Sequence, residues 1–147
     1  MIEKNEKLIE KVTADFASGL HCSQVTFGHA AEKLGFDEKT AKKIGAGFGG
    51  GMFNGERCGA VTGALMGLGL KYGHSCAEDK PNEAELQAKR VQLEKAFLEK
   101  YDSLLCKDIL GANIGTPEGL AEIKEKNLTS GCAELTAYVC QILDELL

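Results

Sequence analysis

Apolar residues between positions 2 and 18 recur with helical spacing. Ile2, Leu8, Ile9, Val12 and Phe16 fall mostly on one face, lysines and glutamates elsewhere, and Gly19 supplies a stop. A second helix is predicted from Cys22 to Leu34, rich in alanine and ended by Gly35. Asp37 reads as the N-cap of a third, over about residues 38 to 46. Further on, Leu86, Lys89, Leu93, Phe97 and Tyr101 carry the period of a long helix over about 82 to 105, with Pro81 suited to its first turn. Thr116-Pro117-Glu118 opens a short helix to about Asn127, and a last helix runs from Gly131 to the C-terminus.

The centre of the chain breaks this pattern. Most of the 18 glycines lie between Gly45 and Gly73. Gly47-Phe48-Gly49-Gly50-Gly51 is too glycine-rich for a helix interior and reads as a loop. From Cys58 to about Tyr72 the glycines become periodic: Gly59, Gly63 and Gly67 recur every four residues beside Ala60, Ala64 and Leu68. Each interior glycine costs a helix about 0.8 to 1 kcal/mol relative to alanine. Such a stripe points to close backbone approach, by another helix or by a bound group. No alternating run of β-branched residues persists, so the expected class is all-α: a single-domain bundle of about six helices around a glycine-rich central loop, spanning residues 1–147.

Length and charge narrow the function. A chain of 147 residues with 44% hydrophobic and 27% charged residues can bury one core. Its net charge of −5 argues against a nucleic-acid partner. No uncharged stretch reaches the roughly 18 residues of a membrane helix, so no membrane association is expected. The segment Met1–Lys11 lacks the apolar run of a signal peptide, and a cytoplasmic location is expected.

That compartment changes the meaning of the 6 cysteines, Cys22, Cys58, Cys76, Cys106, Cys132 and Cys140. Cytoplasmic thiols are reduced, metal-bound or catalytic rather than structural disulfides. No C-x-x-C occurs, which removes the thioredoxin motif, the usual zinc knuckles and the compact ferredoxin run. Cys22, Cys58 and Cys132 each stand at a predicted helix start, where free amides and the helix dipole lower a thiol's pKa. The competing reading is cysteine as a small buried apolar residue. Cys132 and Cys140 are eight residues apart on one helix, about 12 Å between Cα atoms, too far to bridge. Leu135, Val139, Leu143 and Leu146 share the side of Cys132, and Cys140 is rotated about 80° from it, so Cys132 belongs to the buried face. Cys76, after Gly73-His74-Ser75, is expected to be peripheral.

These residues resemble the redox-active family named after its signature, C_GCAxxG_C_C. The resemblance rests on Cys22-Ser23-Gln24, on Gly47 to Met52, on Cys58-Gly59-Ala60-Val61-Thr62-Gly63-Ala64-Leu65-Met66, and on isolated Cys106 and Cys132. It spans about Leu20 to Val139. It implies redox activity through Cys22, Cys58, Cys106 and Cys132. Part of the split-Soret cytochromes is also similar, which implies iron–sulfur binding as one form of that activity.

Other signals carry less. Gly45-Ala46-Gly47-Phe48-Gly49-Gly50 matches G-x-G-x-x-G, but a helix rather than a strand precedes it. A glycine loop before a helix start can nonetheless present amides to an anion or to cluster sulfides, which makes Gly49, Gly50, Gly51, Gly59 and Gly63 candidate cofactor contacts. His21 adjoins Cys22, His29 lies two turns on, and His74 forms H-x-C with Cys76; each reads more simply as a surface or capping residue.

The favoured function is a cysteine-based redox protein, an oxidoreductase or electron carrier, holding an iron–sulfur cluster on Cys22, Cys58, Cys106 and Cys132 and exchanging electrons with a redox partner protein. The alternative needs no cofactor: Cys22 and Cys58 cycle between dithiol and disulfide. A structural zinc site on the four thiolates, or an interaction module with inert cysteines, ranks below both. A homodimer is compatible with the sequence.

Overall fold

The computed structural model describes residues 2–147. Eight α-helices occur among them: α1 (Glu6–Ala17), α2 (Cys22–Leu34), α3 (Glu38–Gly45), α4 (Gly59–Tyr72), α5 (Lys80–Leu98), α6 (Cys106–Leu110), α7 (Pro117–Lys126) and α8 (Cys132–Leu146). The described residues form no strand, only one isolated antiparallel bridge between Arg57 and Leu105. The all-α, single-domain bundle is therefore as expected, with more and shorter helices. None of them is long and apolar enough to cross a membrane.

The helix ends follow local chemistry. Asn5 caps α1 by accepting from the Leu8 amide, so this helix starts later than its apolar pattern suggests. Asp37, Asp79 and Thr116 cap α3, α5 and α7 in the same way. Gly35 and Asn127, both left-handed, end α2 and α7. The long helix stops at Leu98 rather than near residue 105. Beyond it the chain turns to meet the segment before α4: the Cys58 amide donates to the Leu104 carbonyl, and the Cys106 amide to the Glu56 carbonyl, both at 2.7 Å. That pairing takes residues 104–106 out of any helix running on from α5.

The main core lies where α4 meets α5 and α8. Ala60, Val61, Ala64 and Leu68 of α4 pack with Leu93 and Phe97 of α5 and with Leu135, Val139, Ile142 and Leu143 of α8. The glycine stripe faces α2. A side-chain carbon on Gly63 would collide with the Ser23 carbonyl oxygen and the Thr26 hydroxyl, and one on Gly67 with the Ala30 methyl. The stripe is thus a close helix–helix contact, reaching the α2 backbone at Gly63 and its side chains at Gly59 and Gly67. Ser23 extends the contact, its buried hydroxyl donating to the Gly45 carbonyl at the end of α3 (2.6 Å).

The central loop divides in two. Ala46–Phe48 form a 3-10 turn. Gly50, Gly51, Met52 and Phe53 then follow one another with φ of 61°, 63°, 59° and 57°, a left-handed turn containing two residues other than glycine. Met52 and Phe53 are exposed, and the Phe53 ring meets His21 edge-on at 5.3 Å between centroids.

Leucine in place of Gly63 should lower stability by about 3 kcal/mol or more, since added bulk in a tight contact costs about 1–3 kcal/mol even where neighbours can shift. The exposed α5 residue Glu85, replaced by leucine, should stay within about 0.5 kcal/mol of the parent. Denaturant midpoints compare the two, and similar losses would mean that the stripe is not a tight contact.

Candidate functional site

Four cysteines stand at four helix starts. Cys22, Cys106 and Cys132 are the first residues of α2, α6 and α8, and Cys58 is the N-cap of α4. All four line one cavity of about 260 Å³. Phe16, Leu20, Ile109, Ile114 and Leu135 supply much of its apolar wall; His21 and Thr129 also line it, and no lysine, arginine, aspartate or glutamate does.

The fold explains the convergence. Tight α2–α4 packing brings the Cys22 sulfur over the residue after Cys58; a Cβ on Gly59 would lie 2.6 Å from that sulfur. The backbone pairing around Arg57 and Leu105 fixes Cys58 and Cys106 on adjoining segments. Cys132 packs against the cluster of Cys106, Leu110 and Ile123.

Burial governs the thiols. It raises Cys22 above the ordinary thiol range, although the amides of Gly50, Ser23 and Ala60 pull the other way. It raises Cys58 as well, with the neighbouring Cys22 adding to the shift and the Ala60 and Val61 amides opposing it. Burial and then Cys22 push Cys106 up to about 11. Burial, Cys22 and Cys106 push Cys132 up to about 12. The expectation of low-pKa thiolates at helix starts is therefore reversed: withdrawal from water outweighs the amides and the dipole.

Two further expectations need correction. Cys22, Cys58, Cys106 and Cys132 were expected to ligate an iron–sulfur cluster or, less favoured, zinc. Among the described residues no group of three or more His, Cys, Asp or Glu side chains is placed to hold a metal ion. The thiols line a common cavity, yet no three of them are placed around one point. The metal-binding and iron–sulfur readings fall with that arrangement. Cys140 was expected to lie off the buried face of its helix. It is fully buried with Val12, Val25 and Ala137 between α1, α2 and α8, because α8 is buried on nearly all sides. It stays outside the cavity, and Cys76 is exposed.

Of the glycines singled out, Gly50 and Gly59 line the cavity. Gly49 lies against His21, where a Cβ would come within 2.5 Å of the His21 Cβ. Gly51 is packed under Glu56 and Gly63 under α2. His29 bonds Asp144 at 2.7 Å, away from Cys22, and His74 is exposed. Sequence reasoning missed Thr136 in the cavity wall and the helix start at Cys106. The apolar stripe of the first helix did contain Phe16, but nothing in it marked that ring as a cavity residue.

Residues 20–146 match the family described as "Putative redox-active protein (C_GCAxxG_C_C)", and the chain belongs to that family. No curated protein and no solved structure matches the chain. The family supplies a class, a cysteine-containing protein of redox character, and the cavity supplies the arrangement of its thiols.

The raised thiols link stability to alkali. Unfolded thiols ionise near pH 9, whereas Cys106, Cys132 and Cys140 in the folded chain hold their protons to about 11, 12 and 12. The unfolded state loses protons first, so their contribution is full below pH 9 and is lost as pH rises through 11 and 12. Each such thiol should take away about 1.4 kcal/mol per pH unit in that window. Urea unfolding between pH 8 and 11 reads the slope, and Cys140→Ala should make it shallower by one thiol's share; an unchanged slope would contradict the assignment.

Proposed function

We propose that this protein is a thiol–disulfide oxidoreductase in which Cys22 and Cys58 form the redox pair. The observation that carries this reading is the seating of the Cys22 sulfur against Gly59, the residue after Cys58, inside a cavity lined by both. The glycine is required there, since any side chain would displace the sulfur.

The oxidant is a disulfide. Cys22, half-buried where Cys58 is buried, is the attacking residue. Its thiolate attacks one sulfur of the substrate, the S–S bond breaks, and the departing thiolate takes up the proton that Cys22 released. A mixed disulfide results. The Cys58 thiolate then attacks the Cys22 sulfur, and the second substrate thiolate leaves and is protonated. Two protein thiols become one disulfide, and the substrate disulfide becomes two thiols. All six cysteines are free in the structure, which corresponds to the reduced form.

Burial also bears on the potential of this pair. A dithiol whose reduced form is stabilised as thiolate is a strong oxidant when it is disulfide-bonded. Here burial disfavours the thiolate, so the reduced pair gains no such stabilisation and its disulfide is not made a strong oxidant in that way. Supply of thiolate limits the rate. Cys106 and Cys132 stand close enough for their charge to act on the same group of thiols.

Treatment of the reduced protein with bis(2-hydroxyethyl) disulfide should remove two of the six free thiols, and peptide mapping should find Cys22 joined to Cys58. Cys58→Ser should abolish that internal bond, and Cys76→Ser should leave it intact. The rate should climb about tenfold per pH unit between 7 and 9 without a plateau, following the thiolate fraction. Retention of all six thiols would end this reading.

A further inference from the structure

Two thiols of the cavity take no part in the exchange between Cys22, Cys58 and a substrate disulfide. Cys106 and Cys132 line the same volume as the other two. The four divide evenly by exposure: Cys22 and Cys132 are half-buried, Cys58 and Cys106 buried. Each half-buried sulfur thus has a buried companion, the division of labour of an attacking and a resolving thiol. Cys140 shows what an inert cysteine looks like in this fold. It is fully buried among Val12, Val25 and Ala137 and borders no cavity shared with other thiols.

The backbone bridge at Arg57 and Leu105 sets the spacing. The Cys58 amide donates to the Leu104 carbonyl and the Cys106 amide to the Glu56 carbonyl. Cys58 therefore stands opposite Leu104 and Cys106 opposite Glu56, and the two cysteines leave the same face of the bridge as diagonal neighbours. Diagonal neighbours have Cβ atoms roughly 7 Å apart, against about 4 Å in a disulfide. Cys58 and Cys106 flank the cavity without bridging each other. Cys22 is the sulfur common to both. It lies against Gly59, the residue after Cys58, and its charge acts on Cys106 and Cys132 as it does on Cys58. Cys132 in turn packs on the cluster that holds Cys106. Passing a bond from sulfur to sulfur needs two partners at a time, not three around one point.

We propose that Cys106 and Cys132 are a second dithiol, which receives the disulfide of Cys22 and Cys58 by exchange inside the cavity. This rests on the thiol–disulfide reading above and adds two reacting residues to it. The Cys106 thiolate attacks the Cys22 sulfur of the Cys22–Cys58 bond. That bond breaks, and Cys58 leaves as a thiolate and takes up the proton that Cys106 released. The Cys132 thiolate then attacks the Cys106 sulfur of the new Cys22–Cys106 bond, and Cys22 leaves and takes up the proton from Cys132. One disulfide has moved, the number of thiols is unchanged, and no outside oxidant is consumed. Cys22 and Cys58, reduced again, accept a second substrate disulfide. The reduced cavity therefore delivers four electrons, two to each of two substrate molecules.

The Cys76→Ser variant suits the test, because it removes the exposed thiol that lies outside the cavity. One equivalent of bis(2-hydroxyethyl) disulfide should remove two thiols, first as the Cys22–Cys58 bond. Once the reagent is consumed, samples quenched with acid over minutes to hours should show a Cys106–Cys132 bond growing at the expense of Cys22–Cys58. The thiol count should stay constant meanwhile, and the rate should not depend on protein concentration. A second equivalent should remove two more thiols and leave Cys140 alone. Cys58→Ser and Cys132→Ser, added together, should stop the transfer midway, and peptide mapping should then find Cys22 joined to Cys106. The first measurement alters no buried residue, so it stands even where the combined variant fails to fold.

A Cys22–Cys58 bond that persists unchanged after the first equivalent would overturn the inference and leave the single redox pair in place, whether or not a second equivalent removes more thiols. Growth of the Cys106–Cys132 bond at a rate proportional to protein concentration would overturn it too, since the exchange would then run between molecules. Retention of every thiol would remove the pair and the relay together.

Discussion

The approach of α2 to α4 sets the rest of the structure. At Gly63 the two backbones touch through the Ser23 carbonyl, and at Gly67 the contact is with Ala30. Along the same line, Gly59 meets the Cys22 sulfur. Glycine weakens a helix interior by about 1 kcal/mol per residue, so α4 is a poor helix taken alone. It persists because its remaining faces are filled by α5 and α8, whose leucines, valines and Phe97 close the main core. The tightness that brings Cys22 to Cys58 is the same tightness that joins the helices. The placement of the thiols is therefore a property of the fold rather than of a flexible site loop.

Two opposed effects meet at those sulfurs. Each sits at a helix start, where amides favour an anion, and each is removed from water, which disfavours one. The amides of Gly50, Ser23 and Ala60 act on Cys22 and those of Ala60 and Val61 on Cys58, yet burial prevails at both. The same geometry in an open cleft would give reactive thiolates at neutral pH. In this cavity burial tips the balance towards the protonated thiol, the less nucleophilic form.

Much of this was legible in the sequence because its causes are local. Asp37 and Thr116 cap helices wherever they precede a helical run, and the four-residue glycine period of α4 announces a flat helix face. Convergence of Cys22, Cys58, Cys106 and Cys132 was legible through the family signature. What escaped depends on contacts distant in sequence. The early end of α5 follows from the meeting of Leu104 with Cys58, which no local pattern encodes. Burial of Cys140 follows from α1 covering the side of α8 that a single-helix projection leaves bare. The thiol pKa values escaped for a similar reason: a helix start is visible in sequence, whereas the apolar wall around it comes from α1, α6, α8 and the segment at Ile114.

The turn at residues 50–53 has a consequence for how this chain ages and diverges. Four successive residues are left-handed; Gly50 and Gly51 adopt this freely, whereas Met52 and Phe53, as L-residues, carry its strain. Gly50, the first of them, is part of the cavity wall, and Ile114 closes over its α-carbon. The conformation thus belongs to the surrounding packing and not to the segment's own preferences. Lineages that lose the packing around Ile114 would have no reason to keep the turn. Those that keep the turn should vary more freely at Met52, which faces solvent, than at Phe53, whose ring rests on His21 of the cavity wall.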